Sequence, residues 1–164
     1  MEDERRRGGR NYSGITRILA SLEIPKKLAL DTTVLVNYLR SGRSSALVEL
    51  EERIQLATTI INIFELYVGA YKSKDIRTNL TAVKGLRSTL QLLNLTEAAT
   101  ERAGKIMAHL QTHGKPIEIR DLLIASICLE HGYAILTDNV AHFERIPELQ
   151  VIGEKQLEGL KRRD

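Results

Sequence analysis

The segment that decides the fold is KLALDTTVLVNYL, residues 27–39, in which a short apolar run ends at Asp31 and a second apolar stretch follows. The apolar run LAL before Asp31 predicts a buried strand, and VLVNYL after it predicts a helix, with Thr32 or Thr33 available to cap the start of that helix. Asp31 stands between the two elements, where a carboxylate is costly unless another charge or a hydrogen bond compensates it.

Three further acidic residues stand inside or just after apolar segments in the same way. Glu65 lies in TTIINIFELYVGAY, Asp121 in IEIRDLLIASICL, and Asp138 directly after YAILT. Taken singly, Asp31 could be a helix cap, Asp121 a helix-dipole partner and Asp138 a turn residue. Glu65 is harder to explain in this way, because its helix has no basic residue before Lys72 that could pair with it. Together the four acids favour convergence on a divalent cation, because carboxylate oxygens are its preferred ligands.

Short apolar runs alternate with helical patterns along the chain. The predicted strands are LALD, IQLATT, QLLNL, AILT and LQVI. This alternation predicts a mostly parallel central sheet of four or five short strands, covered by helices on both faces. Asp31 and Asp138 fall at the carboxyl ends of strands, where ligands bind in such sheets. Asn62, Glu65 and Gly69 form a narrow polar stripe on the helix after the second strand, and we expect this stripe to face the same edge.

Helix boundaries are predicted from capping and stop residues. A helix is expected across 43–54, and Thr58 or Thr59 caps INIFELYVGAY. Pro116 is expected to open IEIRDLLIASICLEHG, and Gly132 to end it.

The net charge of +3 comes from one end of the chain. The first 27 residues hold seven basic and four acidic side chains, and the remainder holds 17 of each. The charge therefore says little about what the main domain binds, and the basic arm is either a solvated tail or a contact for RNA phosphates. We expect a basic N-terminal extension at 1–26, flexible or a short helix and dispensable for catalysis, an α/β domain at 27–153, and a polar C-terminal helix or tail at 154–164.

Cysteine and histidine content excludes two other kinds of chemistry. The single cysteine, Cys128, rules out an internal disulfide framework and fits a cytoplasmic location, and its apolar surroundings favour a core role. His109 and His113 have a spacing that can chelate zinc, but no third ligand stands near them in sequence, so a solvated helix end is favoured. No apolar run approaches the length of a membrane span, so no membrane partner is expected.

Taken in order, four segments resemble the PIN-domain ribonucleases of the VapC toxin type. They are LALDTTVLVNYL, INIFELYVGAY, DLLIASICLEHG and ILTDNVAHFERIPEL, and the resemblance covers about residues 27–152. It implies a PIN-like three-layer α/β/α sandwich and an Mg²⁺- or Mn²⁺-dependent endoribonuclease that cleaves RNA and is held silent by a cognate antitoxin. Asp31, Glu65 and Asp121 match the core acids of the family, and Asp31 and Asp121 are the first choice for direct metal ligands.

The fourth catalytic position stays open. Thr137-Asp138-Asn139 places Asn139 where many members carry Asp, and Asp138 one residue early. Asp138, Asn139 and His142 are therefore all candidates, and Asp138 is taken as the fourth catalytic acid. The side chains expected to orient the carboxylates are Thr32, Thr33, Asn62 and Thr137.

Two other functions, and an oligomeric state, also follow from the sequence. A PIN scaffold with weak catalysis could act as an RNA- or protein-binding module, although the intact acids argue against it. A receiver-like phosphoacceptor domain needs an adjacent acidic pair early in the chain, where only Asp31 stands. Apolar residues in 38–50 and 64–71 exceed what one core face needs and predict a homodimer, which is also usual for VapC-like proteins.

Overall fold

The computed structural model describes residues 25–42, 48, 51 and 53–158. Most of the N-terminal extension, most of the helix predicted at 43–54 and the end of the C-terminal tail lie outside the described residues. None of the helices within the described ranges is both long and apolar enough to cross a membrane.

Five short strands form one parallel sheet in the order β3-β2-β1-β4-β5. The first strand of the chain lies at the centre, and the chain moves outward on either side of it. The strands are β1 (Lys27–Leu30), β2 (Gln55–Thr59), β3 (Gln91–Leu93), β4 (Ala134–Thr137) and β5 (Val151–Gly153). The prediction of a mostly parallel α/β sheet with four or five short strands is confirmed.

Helices cover both faces of the sheet and complete a three-layer sandwich. They are α1 (Thr32–Ser41), α2 (Ile60–Tyr71), α3 (Ile76–Thr89), α4 (Glu97–Thr112), α5 (Ile119–His131), α6 (Val140–Phe143) and α7 (Glu154–Glu158).

Alternate residues of the central strand enter two different cores. Leu28 and Leu30 pack with buried side chains of α1, α2 and α3. Ala29 packs with buried side chains of α4 and α5 and with Phe143 of α6. Both faces of the strand are buried from Leu28 to Leu30, so these three residues are apolar without alternation, whereas Lys27 at the start of the strand is exposed. Asp31 is the first polar side chain after the strand.

Two helix starts differ from the predictions. The N-cap of α1 is Asp31, and its side chain makes no cap hydrogen bond. Thr32 and Thr33 do not cap the helix either, because both lie within it and their hydroxyls donate to acidic side chains. The helix expected to open at Pro116 begins at Ile119, where the Glu118 carboxylate accepts from the first free backbone N–H groups. Proline sets a turn here, but the helix starts where an acceptor is available for its unpaired donors.

Candidate active site

The carboxyl edge of the sheet brings Asp31 into a buried position between neighbouring strands. Its backbone N–H donates to the carbonyl of Leu136 (3.0 Å), which continues the pairing of β1 and β4 by one residue. The side chain is only 4% exposed, so its charge depends on polar neighbours rather than on water.

Three side chains donate hydrogen bonds to the Asp31 carboxylate. Oδ1 accepts from Asn62 Nδ2 (3.0 Å), and Oδ2 accepts from Thr137 Oγ1 (2.7 Å) and Thr33 Oγ1 (3.2 Å). These donors come from α2, the end of β4 and α1, so the carboxylate orientation depends on three elements. Thr33, Asn62 and Thr137 are three of the four side chains expected to orient the carboxylates, and that role stays a prediction.

A capping box at the start of α2 fixes the orientation of the Asn62 amide. Thr59 Oγ1 accepts from the Asn62 backbone N–H (3.2 Å), and the backbone N–H and hydroxyl of Thr59 donate to Asn62 Oδ1 (3.3 and 2.6 Å). With its oxygen engaged in this way, Asn62 directs its NH₂ group at Asp31 and at Thr32 Oγ1 (3.0 Å each). The local signal that starts the helix therefore also positions a donor for the acid.

Glu65 lies one turn further along α2 and has both carboxylate oxygens occupied. Oε2 accepts from the Thr32 hydroxyl, and Oε1 forms an ion pair with Arg120 Nη1 (3.0 Å). The Glu65 side chain is 18% exposed, whereas that of Arg120 is 51% exposed. The cation that partners Glu65 thus comes from α5 and not from its own helix.

Asp121 is placed at the same edge by the first turn of α5. Its backbone N–H donates to Glu118 Oε2 (3.3 Å) as part of the helix cap. Its carboxylate contacts His142 Nδ1 through Oδ2 (3.0 Å), and the Asp121 side chain is 19% exposed. His142 belongs to α6, directly after β4, so the chain brings this histidine to the acidic edge.

The pKa values of Asp31 and Glu65 are both raised, in part by the neighbouring acids. Burial raises the pKa of the Asp31 carboxyl, against the hydrogen bonds of Thr137, of the Thr32 backbone and of Thr33, and Asp121 raises it further. Burial also raises the pKa of Glu65, against the Thr32 hydrogen bond and the Arg120 charge, and both aspartates add to the rise. The negative charge of Asp121 raises both pKa values, so the three carboxylates face a common space, and a cation placed there would relieve both the desolvation and the repulsion.

The donor set has the chemistry of a magnesium or manganese site. Carboxylate oxygens of Asp31, Glu65 and Asp121, with water completing the shell, suit hard divalent cations. Within the described residues no three His, Cys, Asp or Glu side chains are grouped closely enough to surround an ion. Glu65 is drawn towards Arg120 and Asp121 towards His142. The types of side chain at this edge therefore suit Mg²⁺ or Mn²⁺, but their present arrangement does not surround an ion, and the metal site stays a prediction.

Asp138, Asn139 and His142, the three candidates for the fourth catalytic position, contact different partners. Asp138 is exposed and accepts from Asn37 Nδ2 (3.3 Å), whose amide also donates to Glu154 (3.1 Å). The backbone N–H of Asn139 donates to Thr137 Oγ1 (3.0 Å). Of the three candidates, His142 has the contact with a core acid, Asp121.

Arg120 and Glu118 are the site residues that sequence reasoning missed. Arg120 forms ion pairs with Glu65 (3.0 Å) and Glu118 (2.9 Å). Their position beside Asp121, in the first turn of a helix that begins at the acidic edge, is the signal that could have found them.

The other reactive side chains considered from the sequence lie outside this edge. Cys128 is fully buried, and burial raises the pKa of its thiol well above the ordinary range, so it is a core residue. His109 and His113 lie at the exposed end of α4, where His113 Nδ1 contacts the His109 carbonyl (2.8 Å).

The chain matches the model of the PIN domain over residues 28–149. A tRNA(fMet)-specific endonuclease VapC of Salmonella typhimurium is 31% identical over 130 residues, which are 76% of this chain and 96% of that protein. Ribonuclease VapC1 of Haemophilus influenzae strain R2866 is 30% identical, over 74% of this chain and 92% of its own length.

Solved structures of the same class share the architecture. VapBC2 of Rickettsia felis, bound to a DNA fragment from its promoter, aligns with a TM-score of 0.71 at 27% identity and covers 77% of this chain and 97% of its own. DNA-bound VapBC of Salmonella typhimurium aligns with a TM-score of 0.71 at 29% identity and covers 79% and 98%. The chain therefore belongs to the PIN-domain family and, within it, to the VapC ribonucleases, the toxin class of toxin–antitoxin pairs.

Proposed function

We propose that this protein is a divalent-metal-dependent endoribonuclease that hydrolyses RNA phosphodiester bonds from the edge containing Asp31, Glu65 and Asp121. The observation that carries the proposal is the buried Asp31 carboxylate, which is held by three hydrogen-bond donors although burial raises its pKa. A fold does not keep an acid in this setting for stability, because an apolar side chain would cost less.

Each side chain has a role in this proposal. Asp31 and Asp121 would be direct ligands of Mg²⁺ or Mn²⁺, and Glu65 would bind through water or orient the attacking water. A bound ion would supply the positive charge that acidifies water and offsets negative charge on the phosphate. Thr137 and Asn62 hold Asp31 in one orientation, so the site needs little reorganisation when the substrate arrives.

We also propose the partners and setting that the relatives' names describe. The VapBC structures contain a toxin with its antitoxin, which supports a cognate antitoxin that silences this chain. RNA as substrate, a homodimer and a cytoplasmic location complete the proposal. Membership of the PIN family sets aside the receiver-like alternative, whereas a catalytically weak binding scaffold is separated by measuring cleavage.

The test uses purified protein freed from antitoxin and a single-stranded RNA. Cleavage is expected with Mg²⁺ or Mn²⁺ and should stop in excess chelator. Asp31→Asn and Asp121→Asn should each abolish detectable cleavage, and Glu65→Gln should reduce it severely, with the fold retained by circular dichroism. Glu101→Gln, an exposed acid on α4, is the matched control and should cleave as the wild type does.

Undiminished cleavage by the Asp31→Asn, Asp121→Asn double variant in excess chelator would overturn the proposal. A wild-type protein that binds RNA but does not cut it would favour the scaffold. Asp138→Asn and Asn139→Ala, made separately beside His142→Ala, assign the fourth position to the variant that loses cleavage.

A further inference from the structure

The Arg120 guanidinium bridges two acids at the mouth of the acidic site. Nη1 is 3.0 Å from Glu65 Oε1 and Nε is 2.9 Å from Glu118 Oε1, and the two glutamates raise the pKa of Arg120, with Asp121 adding to the rise. The arginine side chain is 51% exposed, so one part of the guanidinium faces the site and the rest faces solvent.

This contact occupies an oxygen that metal binding would need. Glu65 Oε2 already accepts from Thr32, so Oε1 is the remaining oxygen, and Arg120 is bound to it. A divalent cation, directly or through a bound water, therefore competes with the guanidinium for Glu65 Oε1. The anchor on Glu118 lies on the same first turn of α5 as Arg120, so the guanidinium can leave Glu65 and stay beside the site.

We propose that Arg120 is a further substrate-binding residue of this site. Its guanidinium pairs with Glu65 until a divalent ion, directly or through a water bound to it, takes the Glu65 carboxylate, and the guanidinium then binds a phosphate oxygen of the RNA. This inference rests on the proposed metal-dependent cleavage of RNA. The exchange keeps the charge balanced, because the ion replaces the guanidinium on Glu65 while the phosphate replaces Glu65 on the guanidinium.

Arginine is suited to this exchange. Its guanidinium is always charged and offers five N–H donors in a planar fork that fits two oxygens of a phosphate or a carboxylate. Nε remains with Glu118 while the terminal nitrogens change partner, so the side chain does not have to search for the phosphate.

If Arg120 exchanges partners in this way, removing it should strengthen Mn²⁺ binding and weaken RNA binding. Arg120→Gln removes the competitor, so Mn²⁺ measured by titration calorimetry without RNA should bind about two- to fivefold more tightly, as expected for a half-exposed ion pair. The same variant loses a charge-assisted phosphate contact, so the KM for RNA at saturating Mn²⁺ should rise roughly tenfold, with a smaller change in kcat.

Two further variants control the measurement. Arg87→Gln removes an exposed arginine from the last turn of α3, which precedes the amino end of β3 and so lies at the opposite edge of the sheet, and it should change neither quantity. Arg120→Lys keeps the charge but not the fork, so its Mn²⁺ affinity should stay near that of the wild type while the KM rises. If Arg120→Gln does not fold, Arg120→Lys tests the exchange: an unchanged KM for RNA would overturn it.

The outcomes separate this inference from the proposed function. If the wild type binds Mn²⁺ and cleaves RNA but Arg120→Gln leaves either the Mn²⁺ affinity or the KM unchanged, the exchange is overturned and the ribonuclease stands. If the wild type neither binds Mn²⁺ nor cleaves RNA, both are overturned. Tighter Mn²⁺ binding together with a higher KM supports the exchange.

Discussion

At the scale of single residues, the buried carboxyl of Asp31 lowers the free energy of unfolding of the metal-free protein when it is ionised. Burial raises the pKa of its carboxyl, so the folded chain holds that proton more tightly than the unfolded chain. The resulting contribution to the free energy of unfolding is fully present below the ordinary aspartate pKa of about 4, and it is lost as the pH rises through the raised pKa. Above that raised pKa the carboxyl is ionised, and its burial then destabilises the metal-free protein.

Replacing this charge should stabilise the metal-free protein. In the presence of chelator, Asp31→Asn is expected to raise the Tm at pH 7 by a few degrees, at about 2–4 °C per kcal/mol for a chain of this size. The gain should vanish by about pH 3, below the ordinary aspartate pKa, where Asp31 is protonated in both the folded and the unfolded state. Asp75→Asn is the control, because Asp75 is an exposed helix cap whose pKa is lowered by hydrogen bonds from Thr78, and its neutralisation should bring no gain. A lower Tm for Asp31→Asn at pH 7 would contradict this account.

Thr137 supports the same carboxylate from the end of β4. Its buried hydroxyl donates to Asp31 Oδ2 (2.7 Å) and accepts from the Asn139 backbone N–H (3.0 Å). Thr137→Val keeps the shape but removes both hydrogen bonds, so RNA cleavage should fall by about 10–100-fold, as for other partners of metal-binding groups. Thr58→Val is the matched control, because Thr58 is equally buried but donates to the Leu30 carbonyl. Equal losses in a cleavage assay of the two variants would show that Thr137 acts through the fold alone.

At the scale of elements, helix α5 depends on how both its ends are capped. It begins with the Glu118 cap and ends at Gly132, which has φ 72° and whose backbone N–H donates to the carbonyls of Cys128 and Leu129. Gly132 is needed there because the left-handed conformation is costly for any residue with a Cβ atom. The turn that it makes leads directly into β4 and so to Thr137.

Gly132 and Gly85 should respond to alanine in opposite directions. Gly132→Ala is expected to cost about 1 kcal/mol because of the positive φ. Gly85 lies within α3 with nothing near the position of a Cβ atom, so Gly85→Ala should stabilise the protein by about 0.5–1 kcal/mol. Chemical denaturation of the two variants beside the wild type measures both changes. A Gly132→Ala variant at least as stable as the wild type would mean that the turn after α5 tolerates a side chain.

The sequence predicts elements well where a local signal sets their limits. The sequence offers Thr58 or Thr59 as the cap of α2, and Thr59 is the N-cap; Gly132 ends α5 as predicted. Both signals depend only on neighbouring residues. The start of α5 was misplaced at Pro116 because proline marks a turn, whereas the helix begins where the Glu118 carboxylate can accept from free N–H groups.

At the scale of the whole molecule, the parallel sheet explains why the acids meet. β1 lies between β2 and β4, so residues that follow these strands come to one edge although they are far apart in sequence. The sequence predicts where the strands end, and therefore predicts that acids gather at the carboxyl edge of the sheet. The pairing of Glu65 with Arg120 was not, because it depends on how α2 packs beside α5 across 55 positions of the chain.

An aromatic surface on α2 underlies the proposal of a homodimer. Phe64 and Tyr71 are 55% and 63% exposed and lie on one face of the helix, with Tyr67 half-buried between them. Part of the other region used for this prediction, within 43–50, lies outside the described residues. Large exposed aromatic side chains at i and i+7 are costly in water and favour contact with a partner.

The dimer prediction is tested by placing a charge in this surface. The wild type should sediment as a dimer at micromolar concentration, and Phe64→Glu and Tyr71→Glu should sediment as monomers, because a buried unpaired carboxylate opposes association. Leu95→Glu, an exposed apolar position after β3, is the control and should remain dimeric. Asp31 and Asp121 belong to one chain and meet without the partner, so the monomeric variants should still bind Mn²⁺ in titration calorimetry. A wild-type monomer at these concentrations would refute the dimer, whereas loss of Mn²⁺ binding on dissociation would mean that the partner helps to form the site.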